Sequence, residues 1–281
     1  MNREIMAKPD NTTDKGPANT VAGGVAQPRF SDKDIKAAQA WFKRAAAVAD
    51  SRNYDYAIEC YINGLKVWPE AVEEGHKRLY AVGMARRTAG MKKAGMIETL
   101  KHPAGVRDSV QGMLNAEFLM AKDPSNTAHM EAALKNADKA GLDETIRWLG
   151  PLFLDAIARE KKASASRLKA AQQVFLNAAA RAEASGNFKG AIECYQCAIT
   201  TIEYYTQLKP ADLEAGNTLR DVSGRLAIVK GNYDKAGDFR DSLNDADKQR
   251  RIHDEDRLVQ DQGRQDQLVE KIGRASCRER V

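Results

Sequence analysis

From Ala37 onward, apolar residues return every three or four positions. Ala37, Trp41, Ala45 and Val48 share one face of a predicted helix for which Ser31 supplies an N-cap, and after a polar break Ala57, Ile58, Tyr61 and Leu65 form a second stripe. Pro69 stands at its end, where a missing N–H and a restricted preceding residue stop a helix. The double stripe then recurs. Asn53-Tyr-Asp-Tyr-Ala-Ile-Glu-Cys-Tyr61 returns as Asn187-Phe-Lys-Gly-Ala-Ile-Glu-Cys-Tyr195, with six of nine residues identical. The likeness extends outward to Trp41 and Phe175, and to Ala45 and Ala179. A further copy is visible at Gly224, Gly231-Asn-Tyr233 and Ala236. Phased self-similarity of this kind marks a repeat architecture. With proline sparse and alternating β-patterns absent, the chain reads as all-α.

In the two clear copies an aromatic residue is followed by a small residue, a second aromatic, an alanine and a third aromatic. Trp41, Ala45, Tyr54, Ala57 and Tyr61 carry this order, closed by Pro69. It resembles the tetratricopeptide repeat, two antiparallel helices in a unit of about 34 residues. Small residues let the two helices approach closely, and aromatics fill the space between one pair and the next. The resemblance implies a right-handed α-solenoid of about five helix pairs over residues 31–247, with units near 38–71, 72–126, 127–160, 172–205 and 217–247. It is strong in units one and four and weak in two and three. In unit two the Gly- and Pro-containing stretch 87–105 reads as an insertion between the helices. In unit three Pro151 is expected to bend or end the second helix. A solenoid needs no central core, so one continuous array is expected rather than two globules.

The ends read differently. Residues 1–30, rich in Asn, Thr, Gly, Ala and Pro, read as a disordered leader without a signal-peptide apolar run. Residues 248–271 are polar and charged, a solvated helix or a linker. Ile272-Gly-Arg-Ala-Ser-Cys-Arg-Glu-Arg-Val281 back-translates to a sequence resembling a short-read sequencing adapter, so these residues are set aside from fold reasoning and the frame is expected to be truncated near Lys271. Without the three arginines and one glutamate of that segment, the formal charge of +5 becomes +3. A balance so near zero gives no global argument for nucleic acid or membrane binding. Cys60, Cys194 and Cys197 remain, with no disulfide-framework spacing, which points to a reducing, cytoplasmic setting.

No phosphate-binding glycine loop, His-Glu-x-x-His or nucleophile elbow is present, so no catalytic residue, metal site or cofactor is assigned. His76, His102, His129 and His253 are scattered. Cys194-Tyr-Gln-Cys197 is formally a C-x-x-C, but mid-helix and without a second pair it reads as packing rather than redox chemistry. Arg86, Arg87, Lys92, Lys93, Lys101 and Arg107 face only Glu98 and Asp108, a local cationic excess suited to phosphate or an acidic partner.

Proteins of the resembled family bind peptides or helices in the concave groove of their first helices. Phasing each unit places Gln39, Phe42, His76, Tyr80, Glu131, Lys135, Gln173, Asp221 and Arg225 toward it. The subclass that clamps the acidic C-terminus of heat-shock chaperones uses Lys and Asn where this chain has Phe42 and Ala46, and again Leu176 and Ala180 in unit four, so that reading is disfavoured. As a whole the chain resembles bacterial tetratricopeptide-repeat proteins of undefined role, which implies a non-catalytic scaffold or adaptor with a protein or peptide partner. Two other readings stand beside it: a regulatory docking segment of a larger, truncated enzyme or membrane-anchored protein, and a phosphate or nucleic-acid binder acting through the insertion.

Overall fold

The structure, a computed structural model, describes residues 30–160 and 162–231. Among them every regular element is helical and no strand occurs. The stretches 1–29, 232–247, 248–271 and 272–281 lie outside the described residues.

Helix α1 (Asp32–Asp50) starts at Ser31, whose hydroxyl accepts from the Asp34 amide. Helix α2 (Tyr54–Val67) starts at Asn53, whose side chain accepts from the Tyr56 amide. Much later, Asn187 caps α9 (Phe188–Leu208) in the same way through the Gly190 amide. The invariant first residue of the duplicated stretch is therefore a helix N-cap. The turns before the two caps also match. Asn53 N–H bonds back to Val48 O at 3.2 Å and Asn187 N–H to Ala182 O at 2.8 Å, closing a Schellman motif around a left-handed residue. That residue is Gly186 (φ 75°) in unit four and Arg52 (φ 63°) in unit one.

A single π-helical turn, Val72–His76, leads into α3 (Lys77–Thr88). Helix α3 ends as the others do: Gly90 takes φ 73° and Met91 N–H reaches Arg86 O at 3.3 Å. Where the repeat would now place an Asn cap, Met91 stands instead. Residues 91–107 intervene, carrying the short helix α4 (Met96–Lys101), before Asp108 caps α5 (Ser109–Lys122) through the Val110 and Gln111 amides. Helices α6 (Thr127–Ala140), α7 (Asp143–Ala158) and α8 (Ala165–Ala184) follow, and residues 213–231 form α10.

Adjacent helices pack in antiparallel pairs. Helix α1 lies on α2, α5 on α6, α6 on α7 and α8 on α9, with α2 also touching α3 and α5. The buried hydrophobic residues form one cluster through these pairs, from Ala38 to Val229. Ala45, Ala57, Ala179 and Ala191 are fully buried where the paired helices meet. Closer still is α3 on α5, where a Cβ added at Gly83 would stand 2.7 Å from the Ala121 carbonyl oxygen.

Helix α7 continues through Pro151, so the proline does not stop it. The proline faces solvent, so the Arg147 carbonyl that loses its donor stays open to water, and Gly150 before it has no Cβ for the ring to meet. In unit four no proline stands at the position of Pro69, and α9 extends to Leu208, two residues before Pro210.

Candidate functional site

Among the described residues a cleft lies between α1 and α3, the helices read from the sequence as the first of units one and two. It has a volume of about 720 Å³ and is walled by α1 and α3. Helix α1 presents Gln39, Lys43, Ala46 and Asp50, and α3, with the π turn before it, presents Glu74, Arg78, Ala81 and Ala85. Both sets follow the spacing i, i+4, i+7, i+11, one continuous helix face each. Alanines at the middle of both faces leave the floor open, and the Tyr54 and Tyr61 rings reach it from α2. At one end the Gln39 amide donates to Glu74 at 3.3 Å, bridging the two walls. Lys43 and Arg78 form no ion pair with a described residue.

Phe42, expected on the groove surface, is only 5% exposed. Its ring packs on Tyr61 with centroids 6.0 Å apart and fills the space above Gly64, where a Cβ would collide with it. Trp41, the expected spacer, is the more exposed of the two, with the Arg44 guanidinium 5.9 Å from its ring.

His76 departs further from the expected groove. It is fully enclosed, bonded through Nδ1 to Glu117 at 2.8 Å and through Nε2 to the Pro69 carbonyl at 2.9 Å, with the Trp148 ring 5.7 Å away. Two acceptors on two ring nitrogens are satisfied together only by the imidazolium. Burial by itself pushes the His76 pKa down, but the Glu117 charge and the two hydrogen bonds outweigh it, and the pKa is raised. Tyr80, half-buried, meets Trp148 edge-on at 6.3 Å.

The other expected groove residues are spread along the array. Glu131 pairs with Arg167 at 3.1 Å and with Lys135 at 3.8 Å. Arg225 is held by Glu183, which also accepts from the Tyr195 hydroxyl at 3.0 Å. Asp221 is exposed. Gln173 donates to Asn177 at 2.8 Å and lines a small cleft of about 220 Å³ with Lys169, Tyr205 and Asp212. The structure therefore gathers only Gln39 and Phe42 of that set at the cleft between α1 and α3. Of the residues missed there, Lys43 and Ala46 were reachable by stepping i+4 and i+7 from Gln39, whereas Glu74, Arg78 and Ala81 lay off the face that the phasing to His76 and Tyr80 selected.

The basic set divides as well. Arg86 is not part of a free cationic loop: it is 5% exposed and donates to Asp55 at 2.8 Å. Lys122, equally buried, meets the same carboxylate and Glu98 at 3.0 Å, tying α4 to α5 and α2. Burial pushes the Asp55 pKa up, but the Lys122 and Arg86 bonds and charges bring it below the usual carboxylate value. Lys93 pairs with Asp123 at 2.9 Å. Arg87, Lys92, Lys101 and Arg107 are exposed and form no ion pair with a described residue.

Cys60, Cys194 and Cys197 are free, and burial pushes the Cys194 thiol up to about 12 and the Cys197 thiol up to about 11. Thiols so protonated are poor nucleophiles and poor metal ligands. Among the described residues no group of three or more His, Cys, Asp or Glu is arranged to hold a metal ion, and no helix is long and apolar enough to cross a membrane. No protein-family model matches the chain, and comparison with curated proteins finds no match.

Proposed function

We propose that this chain is an interaction module of tetratricopeptide-repeat type that takes a peptide or helix of a partner protein along the groove between α1 and α3. The observation that carries the reading is the pair of matched helix faces. Two first helices, from adjacent units, turn the same i, i+4, i+7, i+11 stripe toward one cleft, with alanine at its floor and Lys43 and Arg78 unpaired in its walls. Apolar side chains of a ligand rest on Ala46 and Ala81, and a carboxylate is drawn between Lys43 and Arg78. Gln39 and Glu74, already bonded across the cleft, hold the two walls at a fixed spacing before any ligand arrives, which reduces the ordering cost of binding. The role is that of a scaffold or adaptor without catalysis.

The test is selection from a random peptide library, repeated on a protein in which Ala46 and Ala81, both exposed, are replaced by Arg. Enrichment of sequences with an acidic residue near an apolar one, and loss of at least tenfold in affinity when the floor is blocked or when Lys43→Glu and Arg78→Glu are combined, is the expected result. Failure to enrich any sequence, or enriched peptides that bind the blocked protein equally well, overturns the proposal.

A further inference from the structure

Helix α4 is built inside out. At about 100° per residue, Met96, Leu100 and Ile97 fall within one arc of roughly 100° on its surface. That arc faces solvent, with the three side chains 81%, 73% and 73% exposed. The helix's acid, Glu98, lies on the opposite side and is turned inward onto Lys122 at 3.0 Å. An amphipathic helix in a folded protein ordinarily buries its apolar arc, so this face awaits an apolar surface outside the described residues. Met91 adds another exposed apolar side chain on the approach to the helix.

The charges around the arc say what that surface is. Arg87, Lys92, Lys101 and Arg107 are exposed and unpaired with any described residue, whereas both acids of the segment are engaged, Glu98 with Lys122 and Asp108 as the cap of α5. The segment thus offers an exposed aliphatic face and four exposed cations without an ion-pair partner among the described residues, while Ile97 and Lys101 also edge a cleft of about 650 Å³ shared with Glu59 and Lys66 of α2. A second copy of the chain would set one such group of cations against another and be repelled. Protein interfaces are poor in lysine and centre on buried aromatic anchors; the segment has methionine and arginine, which suit such an interface, but also the exposed Lys92 and Lys101 and no exposed aromatic residue. An aliphatic face has little to gain from a nucleic acid, and the segment lacks exposed aromatics on which bases would stack. A bilayer with anionic headgroups matches both parts: the aliphatic face enters the headgroup boundary while the cations meet lipid phosphates.

We propose that residues 87–107 form a peripheral membrane-docking finger that seats Met96, Ile97 and Leu100 in the interface of an anionic bilayer. The finger is braced for this. Asn115 donates to the Pro103 carbonyl at 2.8 Å, Asn136 donates to the Ala104 carbonyl at 3.1 Å, and the His102 ring stacks on Phe118 at 3.9 Å. One side of the segment is fixed to α5 and α6 while the apolar arc stays outward.

The experiment is co-sedimentation of the full chain with vesicles of phosphatidylcholine alone and with about one third phosphatidylglycerol. Binding to the anionic vesicles only, weakened by salt, is expected. Lys92→Ala with Lys101→Ala should weaken it by about thirtyfold, near fivefold for each basic residue close to an anionic surface. Ile97→Ser with Leu100→Ser should also release the protein, and Leu100→Trp should show a blue-shifted emission on anionic vesicles. All four positions are exposed, so unchanged thermal unfolding separates lost binding from lost folding. Absence of binding, equal binding to neutral vesicles, binding indifferent to these substitutions, or a dimer in solution that Leu100→Ser dissolves would each overturn the proposal.

Discussion

At the scale of single residues, the two copies of the duplicated stretch supply an internal control. Arg52 and Gly186 hold the same left-handed position between a helix end and an Asn cap. A side chain there costs roughly 1 kcal/mol that glycine avoids. Arg52→Gly is therefore expected to stabilise the protein by about 0.5–1 kcal/mol in urea unfolding, and Gly186→Arg to destabilise it by a similar amount. Equal effects of one sign at the two sites would refute the equivalence.

His76 gives a second residue-scale prediction. Its raised pKa means that its contribution to stability is full below the ordinary value of 6.5 and is lost as pH rises through the folded-state pKa. The groups that face it are the Glu117 carboxylate, the Pro69 carbonyl, the Thr145 hydroxyl at 3.5 Å and the Trp148 ring. The midpoint of thermal unfolding should fall across that range, and the fall should shrink in His76→Phe. That variant leaves Glu117, one of whose oxygens already has no hydrogen-bond partner, as an unpaired buried charge, and should cost about 3–5 kcal/mol. Adding Glu117→Leu to it should recover most of the loss, since an apolar pair of similar volume often equals a buried ion pair. If the double variant were no more stable than the single, the ion pair would not be the source of the effect.

At the scale of elements, what was legible in the sequence and what was not follow from different physics. The Ser31 cap, the Pro69 stop and the buried alanines were readable because each depends on local geometry that a few residues dictate. The groove face was not. The repeat phasing pointed to Phe42 and His76, but an aromatic ring of that size gains more from burial against Tyr61 and Gly64 than from a wet cleft, and His76 is claimed by Glu117, 41 positions away. The π turn at Val72–His76 further alters the register at the start of α3, and nothing in composition announces it. Arg86 was misplaced for the same kind of reason, since its partner Asp55 comes from another helix. The contact of α3 with α5 is testable directly. Gly83→Ala places a methyl group against the Ala121 backbone, which has no rotamer by which to yield, and should cost about 1–3 kcal/mol, as should Ala57→Leu or Ala191→Leu in the paired helices.

At the scale of the whole molecule, the two proposed surfaces, the groove between α1 and α3 and the stretch that follows α3, share no deleted residue and should separate. Helix α3 closes at Gly90 with the same turn that precedes Asn187, and Asp108 caps α5 as Asn187 caps α9. Deleting residues 91–107 would join Gly90 to Asp108 and recreate the pattern of unit four, a left-handed glycine followed at once by a helix cap. Because each unit contacts chiefly its neighbours, the rest of the array has no reason to rearrange. The deletion removes the carbonyl partners of Asn115 and Asn136, Glu98 from Lys122 and the His102 ring from Phe118, so a loss of at least about 2 kcal/mol, near 1 for each hydrogen bond before the other contacts, is expected in urea unfolding. Helical content per residue should not fall, because the excised stretch is mostly loop around one short helix. The shortened protein should keep peptide binding in the α1 and α3 groove, whose walls lie outside the deleted residues, and should lose anionic-vesicle binding entirely. If vesicle binding survived, the finger would not be its seat; if peptide binding vanished while the helices remained, the groove would depend on the insertion and the division into two surfaces would be wrong.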